Sequence, residues 1–334
     1  MRSGPKNRRP LRDQIRVAPF LIHDVRRFGF ALSPAQGRIE VNKIMNSTDR
    51  AEVRVGSASA ITATDLCFSY SRQRQKAGRR SALENCSLSV PNGSIAALVG
   101  MNGAGKSTLM SLIAGILRPS SGVVRVSGEH GSTTAVALVT QDKPLYRNFT
   151  VAEMLRAGKS LNHVWDESRA LRWIDAFGIP LNTTCGRLSG GQQAQVALAL
   201  GIGKRPTVLL LDEPLANLDP IARREVTDQL IDEARDEGMT VLFSTHVVTE
   251  LAGTADHLLL LDRGRLLLDA GVDDLLGSHV LIGEGAEGES RTGRDRATWR
   301  VVEAADAGDR ETRRPTLEEL VISYLGASKK LVSE

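Results

Sequence analysis

A stretch from Gly100 to Thr108, GMNGAGKST, has the composition of a loop that holds phosphate groups, because it matches the pattern G-x-x-x-x-G-K-[ST]. Glycines permit the tight turns that bring bare backbone amides against an anion. A helix beginning near Lys106 would point its free N–H groups at the same place. We expect Lys106 to reach the β- and γ-phosphates of a nucleotide and Ser107 to bind Mg²⁺. The loop residues expected to contact the nucleotide are Gly100, Asn102, Gly103, Gly105, Lys106, Ser107 and Thr108.

The segments on either side of this loop decide between a nucleotide site and an ordinary glycine-rich turn. SIAALVG before the loop is a short apolar run typical of a buried strand, and TLMSLIAGIL after it has apolar residues at helical spacing. A strand before the loop and a helix after it are the context that the phosphate-binding motif requires. The flanks therefore favour a nucleotide site.

Two adjacent carboxylates, Asp212 and Glu213, follow another apolar run, TVLLL. Ligands of α/β proteins bind outside the carboxyl ends of parallel strands, which is where these acids are expected. We expect Asp212 to hold Mg²⁺ and Glu213 to polarise the attacking water. His246 ends a third apolar run, MTVLFST, and is expected at the same edge. The alternative for the acidic pair is a simple strand cap.

The pentapeptide LSGGQ predicts a second helix start that could face an anion. Ser189 is a good N-cap, and Gly190 and Gly191 leave backbone amides bare. A plain Ser-Gly-Gly loop that caps a helix is the alternative. Gln141 ends the apolar strand TAVALVT, and a loop glutamine is by itself most often only solvated.

The elements around these motifs predict an α/β domain over residues 59–277. Between about 142 and 205 the apolar spacing becomes helical, which predicts a helical subdomain inserted between two strands. No apolar run reaches the roughly 18 residues of a membrane span. Three cysteines without metal-ligand spacing are expected to be small buried hydrophobes.

The two ends of the chain differ from this domain in composition. Residues 1–60 carry 12 Lys and Arg against 5 Asp and Glu, and residues 1–58 are expected to be a mostly disordered basic leader. That leader is either a flexible extension of the protein or sequence that lies upstream of a true translation start at Met45. Residues 278–334 are expected to be a flexible linker followed by an amphipathic helix. The apolar face of that helix carries Leu317, Leu320, Val321, Tyr324 and Leu325.

GMNGAGKST, Gln141, LSGGQ, LLLDEP and His246 stand in one order that resembles the ATP-binding cassette (ABC) ATPases over about residues 61–277. The resemblance implies an α/β fold: a P-loop NTPase core with a small antiparallel β portion and an inserted helical subdomain. It implies that Tyr70 stacks on adenine, although a half-buried strand tyrosine is the alternative. It also implies that Gln141 binds Mg²⁺, that Glu213 is the catalytic base and that His246 senses the γ-phosphate.

The same resemblance implies that two subunits share each nucleotide. One chain binds ATP at its phosphate loop, and a second chain completes the site, so that ATP holds a head-to-tail dimer. Asp219 is similar to a residue that crosses the dimer interface. The residues similar to the segment that reaches the partner's γ-phosphate are Ser189, Gly190, Gly191 and Gln192.

The family's function implies an ATPase subunit of a transporter, with ATP and Mg²⁺ as ligands. Its partners would be integral-membrane permease subunits and a second cassette, in a homodimer or a heterodimer, at the cytoplasmic face of the membrane. Most relatives carry Arg where this chain has Gln195, and the chain looks like a bacterial single-cassette subgroup of exporters. The alternatives are a soluble cassette ATPase acting on ribosomes or DNA, and a GTPase or kinase; no specific nucleic acid is expected, and the cargo is not encoded here.

The loop from Gln141 to Thr150 is expected to receive the membrane partner, because Lys143, Tyr146, Arg147 and Phe149 would form a mixed basic and aromatic surface. The alternative is a polar loop whose Phe149 is tucked into the helical subdomain.

Overall fold

The computed structural model describes residues 59–70, 81–127, 136–216, 218–247, 253–284, 298–304 and 312–331. The basic leader expected over residues 1–58 lies outside the described residues, and so does the central part, 285–297, of the expected linker.

Six strands form the sheet on which the site is built, in the order β5-β6-β7-β3-β8-β9. Neighbours pair in parallel except β8 and β9, which are antiparallel. Every residue of β3 and β6 is buried, as expected for apolar strands covered on both faces. The strands of the main body are β1 (Ser59–Phe68), β2 (Leu83–Pro91), β3 (Ile95–Val99), β4 (Ser121–Val126), β5 (Val136–Val139), β6 (Val208–Asp212), β7 (Thr240–Thr245), β8 (His257–Asp262) and β9 (Arg265–Gly271).

The remaining three strands of the main body form a small antiparallel sheet in the order β2-β1-β4. One apolar core joins this sheet to the large sheet and to the helix that follows β3. The predicted antiparallel β portion is confirmed. Its contribution to function is positional, since β1 leads directly to Tyr70 and β2 lies beside the phosphate loop.

Helices begin where the sequence supplies caps. Thr150 and Ser189 each form a capping box with the residue three positions on, and Asp166 and Asp219 accept hydrogen bonds from first-turn amides. The helices are α1 (Lys106–Ile113), α2 (Val151–Leu161), α3 (Glu167–Ala176), α4 (Gly190–Gly203), α5 (Pro220–Asp236), α6 (Val272–Ser278) and α7 (Leu317–Leu331), with a 3₁₀ turn at Cys185–Arg187.

Helices α2, α3 and α4 share one apolar core with α5 and one side of the large sheet. The buried guanidinium of Arg169 on α3 pairs with Glu233 on α5, and its Nη1 lies 3.5 Å from Glu237 Oε2. This ion pair ties the helical segment to the sheet side of the molecule. The division of the chain at 142 and 205 stays a prediction, although the helices lie within those limits.

Residues after 278 differ from the expected flexible linker. β10 (His279–Glu284), β11 (Thr298–Glu303) and β12 (Thr312–Arg313) form an antiparallel sheet in the order β11-β10-β12. The expectation rested on the Gly-, Glu- and Arg-rich letters GEGAEGESRTGRDR, and it missed the strand-forming runs HVLIGE and TWRVVE on either side. These two runs pair residue by residue, so each supplies the other's backbone hydrogen bonds.

The C-terminal helix α7 packs on the main sheet through its apolar face. Leu317, Leu320 and Val321 are buried in a core shared with β3, β8 and α6. Ser328 Oγ also donates to Asp262 Oδ2 at 2.8 Å. The predicted amphipathic face is therefore used within the chain. Among the described residues, no helix combines the length and apolar character that crossing a membrane requires.

Candidate nucleotide-binding site

The phosphate loop connects β3 to α1 in a conformation that demands glycine. Gly103 and Gly105 have φ of 79° and 110°, in the left-handed region. A Cβ on Gly100 would lie 2.3 Å from the carbonyl oxygen of Leu261, and one on Gly105 would lie 2.7 Å from that of Ala82. The loop is thus a cradle of bare backbone, and its residues fit the phosphates of a nucleotide.

Lys106 lies inside this cradle. Its side chain is 6% exposed, and its Nζ donates to Gly100 O at 2.8 Å and to Met101 O at 3.4 Å. Nζ also lies 3.7 Å from Glu213 Oε1. A solvent-open cavity of about 470 Å³ adjoins it. The lining residues are Tyr70, Ala82, Asn102 to Thr108, Gln141 and Glu213.

Three of the predicted catalytic residues converge on the fourth, Glu213. Gln141 Nε2 donates to Glu213 Oε2 at 3.4 Å, and His246 Nδ1 lies 3.5 Å from Glu213 Oε1. Gln141 and His246 follow β5 and β7, and Lys106 begins α1 after the loop that follows β3; the ends of these parallel strands meet at one edge of the sheet. The carboxylate is therefore held among a lysine, an amide and an imidazole.

Ser244, which the sequence reading missed, positions both acids. Its Oγ donates to Asp212 Oδ1 at 2.7 Å and accepts from the backbone N–H of Glu213 at 3.0 Å. Glu213 itself has φ of 46°, so the chain turns sharply where β6 ends. The available signal was the polar pair Ser-Thr just before His246, at the end of an otherwise apolar strand.

Tyr70 stands at the mouth of the cavity, directly after β1. Its side chain is 73% exposed, its ring meets Phe68 edge-on at 4.9 Å, and its hydroxyl shares a 2.9 Å hydrogen bond with Thr108 Oγ1. The alternative of a half-buried strand tyrosine does not fit this exposure. An exposed ring that lines the cavity is available to stack on a base.

The LSGGQ turn lies outside this cavity. Ser189 accepts from Gln192 N–H, and Gln192 Oε1 accepts from Ser189 N–H, each at 3.1 Å. Ser189 and Gly190 are exposed, and no residue of the turn lines the cavity of its own chain. The turn is thus a formed helix start that does not line the nucleotide cavity of its own chain.

Asp219 is placed as the N-cap of α5. Its Oδ1 accepts from the backbone N–H groups of Ala222 and Ile221 at 3.0 Å each, and these hydrogen bonds, led by that of Ala222, hold the pKa of Asp219 below its usual range. The carboxylate is exposed. It therefore starts the helix and remains available to another molecule.

The loop from Gln141 to Thr150 differs from the expected surface. Lys143 is buried, and that burial lowers the pKa of its ammonium. The rings of Tyr146 and Phe149 lie 5.0 Å apart and pack on the core of α2, α3 and α4, while Arg147 is exposed. Lys143 is buried and only Arg147 of the four predicted residues is exposed, while Tyr146 and Phe149 are half-buried, with Phe149 packed against the helices as the alternative expected. The role of this loop in receiving a membrane partner stays a prediction. Loop residues here are buried by contacts distant in sequence.

Gln195 stands where the resemblance anticipates arginine, and the structure gives it a buried role. It is buried on α4, where its Oε1 accepts from Trp173 Nε1 of α3 at 3.1 Å. The indole is buried as well, so each group satisfies the other's hydrogen-bonding capacity.

The comparisons with known proteins agree with this geometry. The family model described as "ABC transporter" matches residues 83–216. The chain is 37% identical over 230 residues to the aliphatic sulfonates import ATP-binding protein SsuB 1 of Burkholderia cenocepacia, covering 65% of this chain and 70% of that protein. It is 29% identical to the Fe(3+) ions import ATP-binding protein FbpC 1 of Haemophilus influenzae, covering 59% of this chain and 63% of that protein.

Solved structures show the same fold. One is cbiO1 of Clostridium perfringens, part of an ABC transporter complex, with a TM-score of 0.55, 25% identity and coverage of 66% of this chain and 91% of that chain. Another is the cassette MJ0796, solved as a dimer bound to ADP and Pi, with a TM-score of 0.56, 22% identity and coverage of 64% and 98%.

The expectation of export finds no support among these relatives, because their names describe import. It rested on the loop after Gln141, on Gln195 and on the C-terminal helix. In the structure Gln195 packs inside the helical segment and the helix packs on the sheet, so these features report internal packing rather than the direction of transport.

Proposed function

Because the chain belongs to the family of ABC transporter ATP-binding subunits, we propose that it is the ATPase of an importer, working as one of two cassettes beneath separate membrane subunits. The convergence of Lys106, Gln141 and His246 on Glu213, at the edge of an open cavity, carries this proposal. Import is supported by the relatives' names. Because its proposed partners are membrane permease subunits, we place the chain at the cytoplasmic face of the membrane.

The cavity's own residues account for nucleotide binding. Backbone amides of the loop face the phosphates, Lys106 supplies a positive charge that is shielded from water, and Tyr70 offers a ring to the base. The volume of about 470 Å³ lies in the range of small-ligand sites.

Oxygen ligands suited to Mg²⁺ lie along the same edge. The Ser107 hydroxyl and the Gln141 amide line the cavity, and Asp212 lies one residue before Glu213. Hydroxyl, amide and carboxylate oxygens are the donors that this hard cation prefers. Bound Mg²⁺ would neutralise charge on the phosphoryl oxygens.

Hydrolysis is assigned to Glu213. Its carboxylate lies beside Lys106 and faces the cavity, where it can orient a water and accept its proton. Gln141 and His246 hold the carboxylate from two sides through 3.4 and 3.5 Å contacts. Phosphoryl transfer requires positioning and charge stabilisation more than covalent chemistry, which this arrangement supplies.

The decisive experiment removes the buried positive charge of Lys106. Lys106→Ala should weaken ATP binding by at least about a hundredfold, because a charge-assisted contact to phosphate in a shielded site is lost. Isothermal titration measures the affinity, and Lys159→Ala, an exposed lysine on α2, is the matched control. Equal ATP affinity of the parent protein and Lys106→Ala would contradict the proposed site.

A further inference from the structure

A groove of about 520 Å³ runs beside the start of the phosphate loop. One wall is the start of that loop, including Met101 and Asn102, and the other wall is a face of α7 that presents Glu318, Ile322 and Leu325. Asn102 lines both this groove and the nucleotide cavity. The groove therefore adjoins the proposed ATP site directly.

The groove exposes apolar side chains that none of the described residues covers. Met101 is 51% exposed and Ile322 is 59% exposed, although both residues lie beside well-packed elements. Large apolar side chains grouped at an open groove mark a binding surface more often than isolated ones do. Glu318 is exposed at the same groove, so a negative charge borders the apolar part of the groove.

A second exposed group lies on the same side of the molecule, at the start of α5. A pocket of about 100 Å³ is lined by Glu213, Leu215, Arg223, His246 and Val247. His246 and Val247 also line the groove, so the surface is continuous from α7 to the segment that begins α5.

On that first turn, Ile221 is 75% exposed and the side chain of Arg224 is 86% exposed. The two residues are three apart on a helix and share one face. They present one apolar and one positive group, whereas the groove presents apolar groups and the negative Glu318.

The LSGGQ turn lies next to this segment within one chain. A Cβ on Gly191 would lie 2.7 Å from Leu218 Cδ2, so the turn and the residues that lead into α5 are neighbours. When the LSGGQ turn of one copy closes over the phosphate loop of another, the first turn of α5 arrives beside that loop. A two-fold axis makes both contacts identical.

We propose that the α7 groove receives the first turn of α5 from a second copy of this chain, with the partner's Ile221 against Met101 and Ile322 and the partner's Arg224 opposite Glu318. This inference rests on the ATP-dependent dimer of the proposed function. It adds the C-terminal helix to the dimer interface, so that residues outside the cassette motifs bind the partner. Apolar contact and charge complementarity act together at such a surface.

Cross-linking tests the contact directly. The full chain carries Ile221→Cys and Ile322→Cys together with Glu213→Gln, which should hold the ATP-bound dimer, and Cys67→Ser, which removes the half-exposed native thiol. Under mild oxidation with ATP we expect a product of twice the chain mass on a non-reducing gel. Either single cysteine variant is the control. Either of two results overturns the inference. One is a disulfide-linked product with the mass of a single chain. The other is no disulfide-linked product although the protein without the added cysteines dimerises with ATP.

Charge reversal gives an independent readout. Glu318→Arg should weaken ATP-dependent dimerisation on the order of tenfold, since two symmetric contacts change together, and adding Arg224→Glu should restore it. Ala327→Arg is the matched control, because Ala327 is exposed on α7 and does not line the groove. Sedimentation velocity measures the dimer, and titration measures ATP binding.

These measurements separate the two possible failures. A parent protein that binds no ATP or forms no dimer contradicts the proposed function. A parent that dimerises with ATP, while Glu318→Arg dimerises equally well, overturns the role of the groove and leaves the proposed function standing.

Discussion

This chain has two glycine-containing turns that begin helices, the phosphate loop and the LSGGQ turn. We call the regions around them the phosphate-loop half, or first half, and the LSGGQ half, or second half. The two regions differ in what surrounds each turn. The phosphate loop lies over a sheet edge where Lys106, Gln141 and His246 meet Glu213. The LSGGQ turn is capped by Ser189 and exposed, and it does not line the nucleotide cavity of its own chain.

This difference teaches how one chain can carry two half-sites. The first half has its charges brought together by parallel strands, whose carboxyl ends must meet. The second half is positioned by helices α2 to α4, which share a separate core and are joined to α5 by the Arg169–Glu233 pair. Within one chain the LSGGQ turn does not line the cavity at the phosphate loop, which fits the proposed dimer in which a second chain completes the nucleotide site.

The largest expected effect comes from a substitution that disables only the phosphate-loop half. Glu213→Gln keeps the size and position of the side chain and removes the proton acceptor, so ATP hydrolysis should fall by about 10² to 10⁴-fold. ATP binding should persist, and the dimer should accumulate. Phosphate release and sedimentation velocity measure the two outcomes. Glu225→Gln, at an exposed position on α5, is the control. Full activity in Glu213→Gln would remove the carboxylate from the mechanism.

Much of the first half could be predicted from sequence because its chemistry lies in short contiguous motifs. The loop between β3 and α1, the acids after β6 and the histidine after β7 all lie where the apolar runs indicated. Their order along parallel strands was enough to place them at one edge. Ser244 was missed because a polar pair at the end of an apolar strand does not by itself show which neighbouring acids it contacts.

Other regions could not be predicted because distant contacts decide them. Lys143 and Tyr146 stand in a polar loop, where Lys143 is buried and Tyr146 is half-buried against the core of α2 to α4. The C-terminal sheet was missed because the composition of residues 283–296 outweighed the strand-forming runs beside it, although β10 and β11 pair across that segment. Composition reports solvation, whereas pairing depends on a partner strand.

A second prediction compares two similar helix caps, one in the LSGGQ turn and one at the start of α2. Ser189→Ala and Thr150→Ala each remove the hydroxyl of a capping box, so each should lower the free energy of unfolding by about 0.5–2 kcal/mol. Only Ser189→Ala should also reduce ATP-dependent dimerisation and hydrolysis by the isolated subunit. Denaturant titration and phosphate release measure both. Equal loss of activity in the two variants would show that cap stability, rather than the LSGGQ face, is what hydrolysis requires.

The smallest expected effect on ATP binding and hydrolysis concerns the packing beneath the LSGGQ half. Gln195→Leu leaves the Trp173 indole N–H buried without its acceptor, which should lower the free energy of unfolding by about 1–3 kcal/mol. Adding Trp173→Phe removes the stranded donor, so the double variant should recover part of that loss, apart from the cost of a smaller ring. ATP affinity should stay unchanged in both, because neither residue lines the nucleotide cavity. Urea titrations of the two single variants and the double variant measure the coupling. Strict additivity of the two single effects would show that the hydrogen bond does not hold α3 against α4.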